Sequence, residues 1–178
     1  LIAKQFHARV IKETQQGHVY ALNRGLKEAT GEIIAITDAD SLPEKDWLDN
    51  IALSMKNEQV IALTGLSKFD IKSKIARILI NNAYRLFTDL HFLLGKPHIN
   101  GFNMAVKKKY IKQLGSLNPA YQMGEDVHLG LLLKRYGEIT FEKNAVVMTS
   151  TRRWQKEAIK SFFKYSATYL FVVWFRRP

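Results

Sequence analysis

Short apolar runs alternate with stretches of helical periodicity along this chain, and this alternation restricts its fold more than any other feature. Residues 32–37 read EIIAIT, which has the length and the isoleucine content of a strand buried on both faces of a parallel sheet. The apolar residues of 19–29 recur at helical spacing, and so do those of 75–93, which follow a second apolar run at 60–64. This order predicts an α/β fold with a mainly parallel sheet flanked by helices.

Local signals predict the remaining elements. Ser41 and Glu44 match a capping box, and Pro43 suits a first helical turn, so a helix is expected from Ser41 to about Asn57. The stripe Ile75, Leu79, Asn82, Leu86, Leu90 and Leu93 predicts a long amphipathic helix. The other expected elements are strands at 8–12 and 102–106, helices at 107–114 and 126–135, and strands near Ile139 and Val146.

Composition narrows the classes of function. The 178 residues suit one domain, and 47% hydrophobic with 24% charged residues excludes a largely disordered chain. The chain has no cysteine, so it can build no disulfide, zinc–thiolate site, iron–sulfur centre or cysteine nucleophile. Its net charge of +11 predicts a polyanionic partner, which could be a phosphate group, nucleic acid or an anionic membrane face. The histidines show no metal-ligand spacing and are expected to be ordinary surface or core residues.

Two carboxylates, Asp38 and Asp40, directly follow the EIIAIT run. Ligands of open α/β sheets collect at the carboxyl ends of the strands. Carboxylates one residue apart can face one Mg²⁺ or Mn²⁺ whose coordination a substrate's phosphates complete. The alternative is a solvated turn in which Asp40 or Ser41 caps the next helix.

A second acidic pair, Glu125 and Asp126, opens the helix predicted at 126–135. Acidic residues at a helix start often only cap it or interact with its dipole. A carboxylate fixed there beside a nucleotide site is also well placed to act as a general base.

A basic pair, Arg152 and Arg153, follows the last predicted strand. The pair is either a solvated basic run or a clamp for a pyrophosphate group, which guanidinium groups bind in bidentate fashion.

In combination these motifs resemble family 2 glycosyltransferases of the GT-A fold, over about residues 8–154. The resemblance rests on Ala21, Asn23, Gly25, Ala29 and Gly31, followed by EIIAITDADSLPEKDWL, NGFNMAVKKKYIKQLGSL and GEDVHLGLLLKRYG. The pairing of DAD with GED at this separation is more specific than either motif alone.

The resemblance implies roles for the acidic residues. Asp38 would lie near the nucleotide ribose and the metal, and Asp40 would bind the metal, Mn²⁺ or Mg²⁺. Asp126 would be the catalytic base, with Glu125 beside it. The reaction would be a direct displacement with inversion, in which the base takes the proton of an acceptor hydroxyl.

The resemblance also implies substrate contacts. Asn100, Gly101 and Asn103, with Phe102 between them, would form the loop under the donor sugar of a UDP- or GDP-sugar. Arg152 and Arg153 would bind its diphosphate, and Trp154 would contact the acceptor. Ser150 stands where many processive members carry Gln, which does not favour processive synthesis. The family's first strand and nucleotide-base loop are expected before residue 1.

Two other classes of function stay open at this level. A haloacid-dehalogenase-like phosphatase also has D-x-D after a strand, but it expects Thr or Val where this chain has Leu42. A basic nucleic-acid-binding module would suit the charge of +11, yet base-stacking aromatics interleaved with basic residues are not evident before the C-terminal segment. No nucleic acid is therefore expected as a partner.

The composition changes after the transferase domain at 1–154. Residues 155–178 are rich in aromatic and basic side chains and are expected to form an amphipathic or membrane-proximal helix on an anionic membrane. Packing on the domain is the alternative. A membrane contact would bring the site to a saccharide or lipid-linked acceptor at the cytoplasmic face, in glycan or polysaccharide synthesis.

Overall fold

A computed structural model describes residues 2–120 and 124–152, and these form one mixed α/β unit. The helices in that part of the chain are α1 (Ile2–Gln5), α2 (His18–Glu28), α3 (Trp47–Ser54), α4 (Lys74–Leu93), α5 (Lys108–Leu114) and α6 (Glu125–Leu133). The strands are β1 (Ile33–Ile36), β2 (Ser41–Pro43), β3 (Val60–Asp70), β4 (Met104–Lys107) and β5 (Glu138–Ser150).

The strands form one sheet in the order β1-β4-β3-β5-β2. β3 and β5 are parallel neighbours, whereas β4 is antiparallel to both β1 and β3, and β2 is antiparallel to β5. Three strands, β1, β3 and β5, therefore point the same way. The α/β class is confirmed, but the mainly parallel sheet of the prediction is mixed, with one parallel pair among the described neighbours.

The direction of β4 accounts for two of the three antiparallel pairs. After β3, helix α4 is followed by a return segment at 94–103, and β4 then pairs with the first half of β3. Thr64 faces Met104 in the register, and the Gly65 N–H donates to the Asn103 carbonyl at 3.0 Å. A helix alone would favour a parallel crossover, whereas a helix with an extended return allows the antiparallel pairing.

The sheet lies between two apolar layers. One layer joins α2, α5 and α6 to the sheet through Val19, Leu26, Ile111, Leu129 and Leu133, among other residues. In the other layer, Trp47 and Ile51 of α3 and the following Met55 pack against Leu63, Ala105 and Val147. A three-layer arrangement of this kind holds the loops at the sheet edge in fixed positions.

Most of the predicted elements are present, and three differ from the prediction. Ser41–Pro43 is not the start of a helix but strand β2, because its backbone pairs with β5 and the Ser41 hydroxyl donates to Thr149 Oγ1 at 2.9 Å. Helix α3 starts later, after Asp46. Residues 8–12 form no strand, and the two strands expected near Ile139 and Val146 are one continuous strand with a register shift. Within 2–120 and 124–152, no helix has the length and apolar character needed to cross a membrane.

Candidate active site

Several loops meet at one edge of the sheet. β1 and β5 run in the same direction, so the turn after Ile36 and the segment after Ser150 leave the sheet on the same side. β4 runs the opposite way, so the loop at 100–103 before it enters from that side, and Ile36 faces Met104. The D-x-D turn, the asparagine loop and the start of the basic segment thus converge, as expected at the ligand-binding edge of an α/β sheet.

The D-x-D turn is held by hydrogen bonds of its backbone, and both of its aspartates lie at the surface. The Asp38 carbonyl accepts from the Ser41 N–H at 3.1 Å, and the Asp40 carbonyl accepts from the Ser150 N–H at 3.3 Å. Both aspartates are exposed residues. Arg152 places Nη2 at 3.9 Å from Asp40 Oδ2, a loose contact between exposed groups.

Asp38 and Asp40 can supply some, but not all, of the ligands of a hard divalent cation. In the described part of the chain, no three His, Asp or Glu side chains stand close enough to bind a metal by themselves. Mg²⁺ and Mn²⁺ sites that use one or two carboxylates take their other ligands from water and substrate phosphates. The donor set of Asp38 and Asp40 suits such a shared site rather than a closed protein cage.

Asp126 is a carboxyl group anchored at the start of α6. Gly124, in the left-handed conformation with φ 76°, turns the chain into the helix. Asp126 Oδ2 then accepts from the Gly101 N–H at 3.0 Å, and Oδ1 accepts from the Val127 N–H at 2.8 Å. Burial, and next the charge of Glu125, raise the pKa of Asp126 to about 6, against the backbone N–H donors, which lower it. The residue nevertheless retains some accessible surface.

Glu125 is paired with His18, a contact that sequence reasoning missed. His18 Nε2 lies 3.2 Å from Glu125 Oε1, and this hydrogen bond is the largest of the influences that raise the pKa of His18. The charges of Asp38 and Asp126 raise the pKa of His18 further, so both acidic motifs act on this imidazole. The partners are 107 positions apart, and no local spacing pairs them. The one available signal was the position of His18 at the first turn of α2, directly after Gly17.

Asn103 is fully buried, and the fold itself occupies its side-chain amide. Its Oδ1 accepts from Trp47 Nε1 at 2.8 Å, and its Nδ2 donates to the carbonyls of Leu66 and Ala145 at 3.1 and 3.0 Å. The amide thereby fills the place where β3 and β5 shift register after Gly65. Asn103 thus stabilises the loop, and its predicted contact with a donor stays a prediction.

Asn100 is likewise held by the fold. Its backbone N–H donates to Thr64 Oγ1 at 3.2 Å and its Nδ2 to Ser67 Oγ at 3.0 Å, while the Tyr84 hydroxyl donates to its Oδ1. Asn100 and Asn103 also pair with each other in an isolated antiparallel β-bridge, and Gly101 lies in the turn between them. The loop therefore presents the Gly101 backbone toward Asp126 from a rigid base.

Eight of the predicted site residues come to this edge of the molecule: Asp38, Asp40, Glu125, Asp126, Asn100, Gly101, Asn103 and Arg152. Arg153 and Trp154, and with them the segment 155–178, lie outside the described residues.

A family model described as glycosyl transferase family 2 matches residues 1–115. This match includes the D-x-D turn and the asparagine loop, and it ends before the acidic pair of α6. No curated protein matches the chain.

Solved glycosyltransferase structures share the fold. A mannosyltransferase from Pyrobaculum calidifontis, in complex with GDP-Man and Mn²⁺, is 23% identical with a TM-score of 0.61, over 79% of this chain and 39% of that one. Glucosyl-3-phosphoglycerate synthase from Mycobacterium tuberculosis, with Mn²⁺, UDP-glucose and phosphoglyceric acid, is 20% identical with a TM-score of 0.61, over 94% and 61%. GalNAc-T7 with UDP, GalNAc and Mn²⁺ is 12% identical with a TM-score of 0.60, over 84% and 33%. The chain thus spans about one third to three fifths of these proteins, and the likeness confirms the predicted GT-A type of fold.

Proposed function

The chain belongs to glycosyl transferase family 2, and from that premise we propose that it transfers a sugar from a nucleoside-diphosphate donor to a hydroxyl acceptor, with inversion at the anomeric carbon. One observation carries the proposal. A carboxyl group with a pKa of about 6, Asp126, is anchored by the Gly101 N–H at the sheet edge that also holds Asp38 and Asp40. A general base works best when its pKa lies near the working pH.

Asp126 is the proposed base. Its carboxylate takes the proton of the acceptor hydroxyl while that oxygen forms a bond to the anomeric carbon. The bond from that carbon to the diphosphate oxygen breaks, and its electron pair leaves with the nucleoside diphosphate. The two backbone N–H donors, from Gly101 and Val127, hold the carboxylate in place, and its remaining lone pairs are available to the hydroxyl.

Asp38 and Asp40 are the proposed ligands of Mn²⁺ or Mg²⁺. When bound, the ion would stabilise the negative charge of the departing diphosphate. The exposure of both carboxylates at the strand end, and the hard oxygen chemistry of the pair, support this assignment. Arg152, which lies beside Asp40, and the next residue, Arg153, would stabilise the negative charge that develops on the leaving diphosphate.

A UDP- or GDP-sugar is the proposed donor, because the structural neighbours are described with GDP-Man, UDP-glucose and UDP. The acceptor is proposed to be a saccharide or a lipid-linked hydroxyl. Membership of the family favours this transferase over the phosphatase and the nucleic-acid-binding module.

We also propose that the protein works at the cytoplasmic face of the cell membrane, in glycan or polysaccharide synthesis. The support is the aromatic and basic composition of residues 155–178 and the net charge of +11.

The experiment is a donor panel with the full chain and Mn²⁺. One nucleotide-sugar should raise the melting temperature above the value with Mn²⁺ alone, and NMR of the transferred product should show the anomeric configuration opposite to that of the donor. Retention of configuration would overturn the inverting mechanism, and release of phosphate from a generic phosphoester would favour the phosphatase.

A further inference from the structure

Helix α4 turns its apolar stripe away from the protein. An amphipathic helix of a globular domain usually buries that stripe in the core, yet the large aliphatic side chains of this one are 46–82% exposed. At 100° per residue, five of them share an arc of roughly 60° along the helix. These five, Ile75, Leu79, Leu86, Leu90 and Leu93, are called the outer face of α4 here; Ile78, Ile80 and Leu94 beside them are exposed as well.

The opposite side of α4 holds the helix against the sheet. Thr88 is buried, Asn81 Oδ1 accepts from the Phe69 N–H at 2.9 Å, and Phe92 stacks on Phe141 with 5.8 Å between ring centroids. Tyr84 on this side donates its hydroxyl proton to Asn100 in the candidate active site. The orientation of the helix is therefore fixed. The described residues leave its outer face far more exposed than an apolar stripe that faces a core.

The charges of α4 indicate what covers this face. Lys74, Arg77 and Arg85 are exposed on the helix, and its one acidic residue, Asp89, pairs with Lys143 at 2.9 Å and more loosely with Arg85, whose Nε lies 3.8 Å from Asp89 Oδ2. An exposed apolar face bordered by basic side chains is the pattern of a helix that lies in the interface of an anionic bilayer.

The position of α4 in the fold agrees with such a surface. The Thr151 hydroxyl donates to the Asp70 carbonyl at 2.6 Å, close to Ser73, which caps α4. The described chain thus ends, at Arg152, near the start of α4, and in the sequence the aromatic and basic residues 155–178 follow.

We propose that the outer face of α4 docks onto an anionic membrane surface. Aliphatic side chains enter the level of the headgroups, and Lys74 and Arg85 contact anionic lipid. Through Tyr84 and Asn100 the same helix positions the loop that faces Asp126, so docking sets the active site at a fixed height and orientation above the bilayer. The docking stands on the geometry of α4 and needs no sugar transfer, whereas its use for a lipid-linked acceptor rests on the proposed function.

The absence of cysteine makes the test simple, because any introduced cysteine is unique. Leu86→Cys in the full chain is labelled with an environment-sensitive fluorophore and mixed with phosphatidylcholine vesicles, with or without phosphatidylglycerol. Leu48→Cys on α3, which is also exposed but lies on the other layer, is the matched control. The α4 label should shift to the blue and be quenched by spin-labelled lipid with anionic vesicles, and the α3 label should change little.

Three results would overturn the proposal. Binding of the full chain to vesicles without any change at Leu86→Cys would leave the membrane contact to another part of the chain. Equal changes at both labels would mean non-specific adsorption. Shielding of the Leu86→Cys label from aqueous iodide before vesicles are added would mean that residues 153–178 or a second copy cover α4.

Substitutions that remove single basic charges test the electrostatic contribution to membrane docking. Lys74→Gln and Arg85→Gln should each weaken partitioning to the anionic vesicles by roughly fivefold, the factor that corresponds to about 1 kcal/mol per basic side chain near such a surface. Lys109→Gln, an exposed change on α5, is the control and should have a smaller effect. An equal loss in all three variants would reject α4 as the contact.

Discussion

The backbone N–H of Gly101 donates to Oδ2 of Asp126 at 3.0 Å. This bond ties the loop before β4 to the first turn of α6, so the position of the carboxylate is set by the sheet as well as by its own helix. A carboxylate held from two sides is aimed before any substrate arrives, which is the condition for efficient proton transfer from a bound hydroxyl.

The pKa of Asp126 predicts an acidic limit for transfer. The base acts only when it is deprotonated, so kcat/KM should fall as the pH decreases through about 6. Glu125 raises this pKa by its charge, so Glu125→Gln should move the limit to lower pH. Glu138→Gln, at the far end of β5, is the control. The measurement is kcat/KM between pH 4.5 and 8, and a limit that stays in place in Glu125→Gln contradicts the coupling.

The His18–Glu125 pair predicts a raised imidazole pKa that can be measured without activity. Loss of the carboxylate in Glu125→Gln should bring the pKa of His18 down toward the ordinary histidine value of 6.5. The stabilisation from this pair is fully present below the unfolded pKa of His18 and is lost as the pH rises through the higher folded pKa. An NMR titration of the imidazole checks the shift, and an unchanged curve in the variant would mean that the contact does not persist in solution.

Gly65 and Gly25 should respond in opposite ways to alanine. A Cβ on Gly65 would stand 2.0 Å from the Ala145 carbonyl oxygen and 2.4 Å from Asn103 Oδ1, so Gly65→Ala should cost about 1–3 kcal/mol or more of unfolding free energy. A Cβ on Gly25 in α2 meets nothing within 4 Å. Gly25→Ala should therefore stabilise the chain by about 0.5–1 kcal/mol. Denaturant unfolding compares the two, and a neutral Gly65→Ala would show that β3 and β5 are less tightly joined there.

Asp40 should be required for the use of metal. Removal of divalent ions by a chelator should abolish transfer, and Mn²⁺ should restore it in the native chain but not in Asp40→Ala. Asp49→Ala, an exposed aspartate on α3, is the matched control and should respond to Mn²⁺ as the native chain does. Full recovery of Asp40→Ala by Mn²⁺ would remove Asp40 from the proposed ligand set.

The pattern of the sequence predicted the elements that depend on local signals. The EIIAIT run, the helix at 75–93 and the acidic start of α6 are where expected, because periodicity and capping act within one element. The local capping signal at Ser41 predicts a helix, but the pairing of Ser41 with Thr149, a contact across 108 positions, makes it part of a strand. The direction of β4 and the outward side of α4 depend on tertiary packing, which periodicity does not encode.

The functional contacts divide in the same way. Asp38, Asp40 and Asp126 could be selected because their residue type and position after a strand or before a helix carry chemical meaning. The contact of His18 and the structural role of Asn103 could not be predicted, because each depends on a partner from a distant segment. That partner is Glu125 for His18 and, among others, Ala145 for Asn103.

Single-turnover transfer by Asp126→Asn, with the best donor of the panel and Mn²⁺, tests the assignment of the general base. Asparagine keeps the shape and loses the basicity, so donor binding, measured as the rise in melting temperature, should survive while transfer falls by roughly 10²- to 10⁴-fold. Asp89→Asn on α4 serves as the control for a carboxylate outside the site. Transfer at the native rate by Asp126→Asn, or loss of donor binding in its place, would contradict the role of Asp126 as the base.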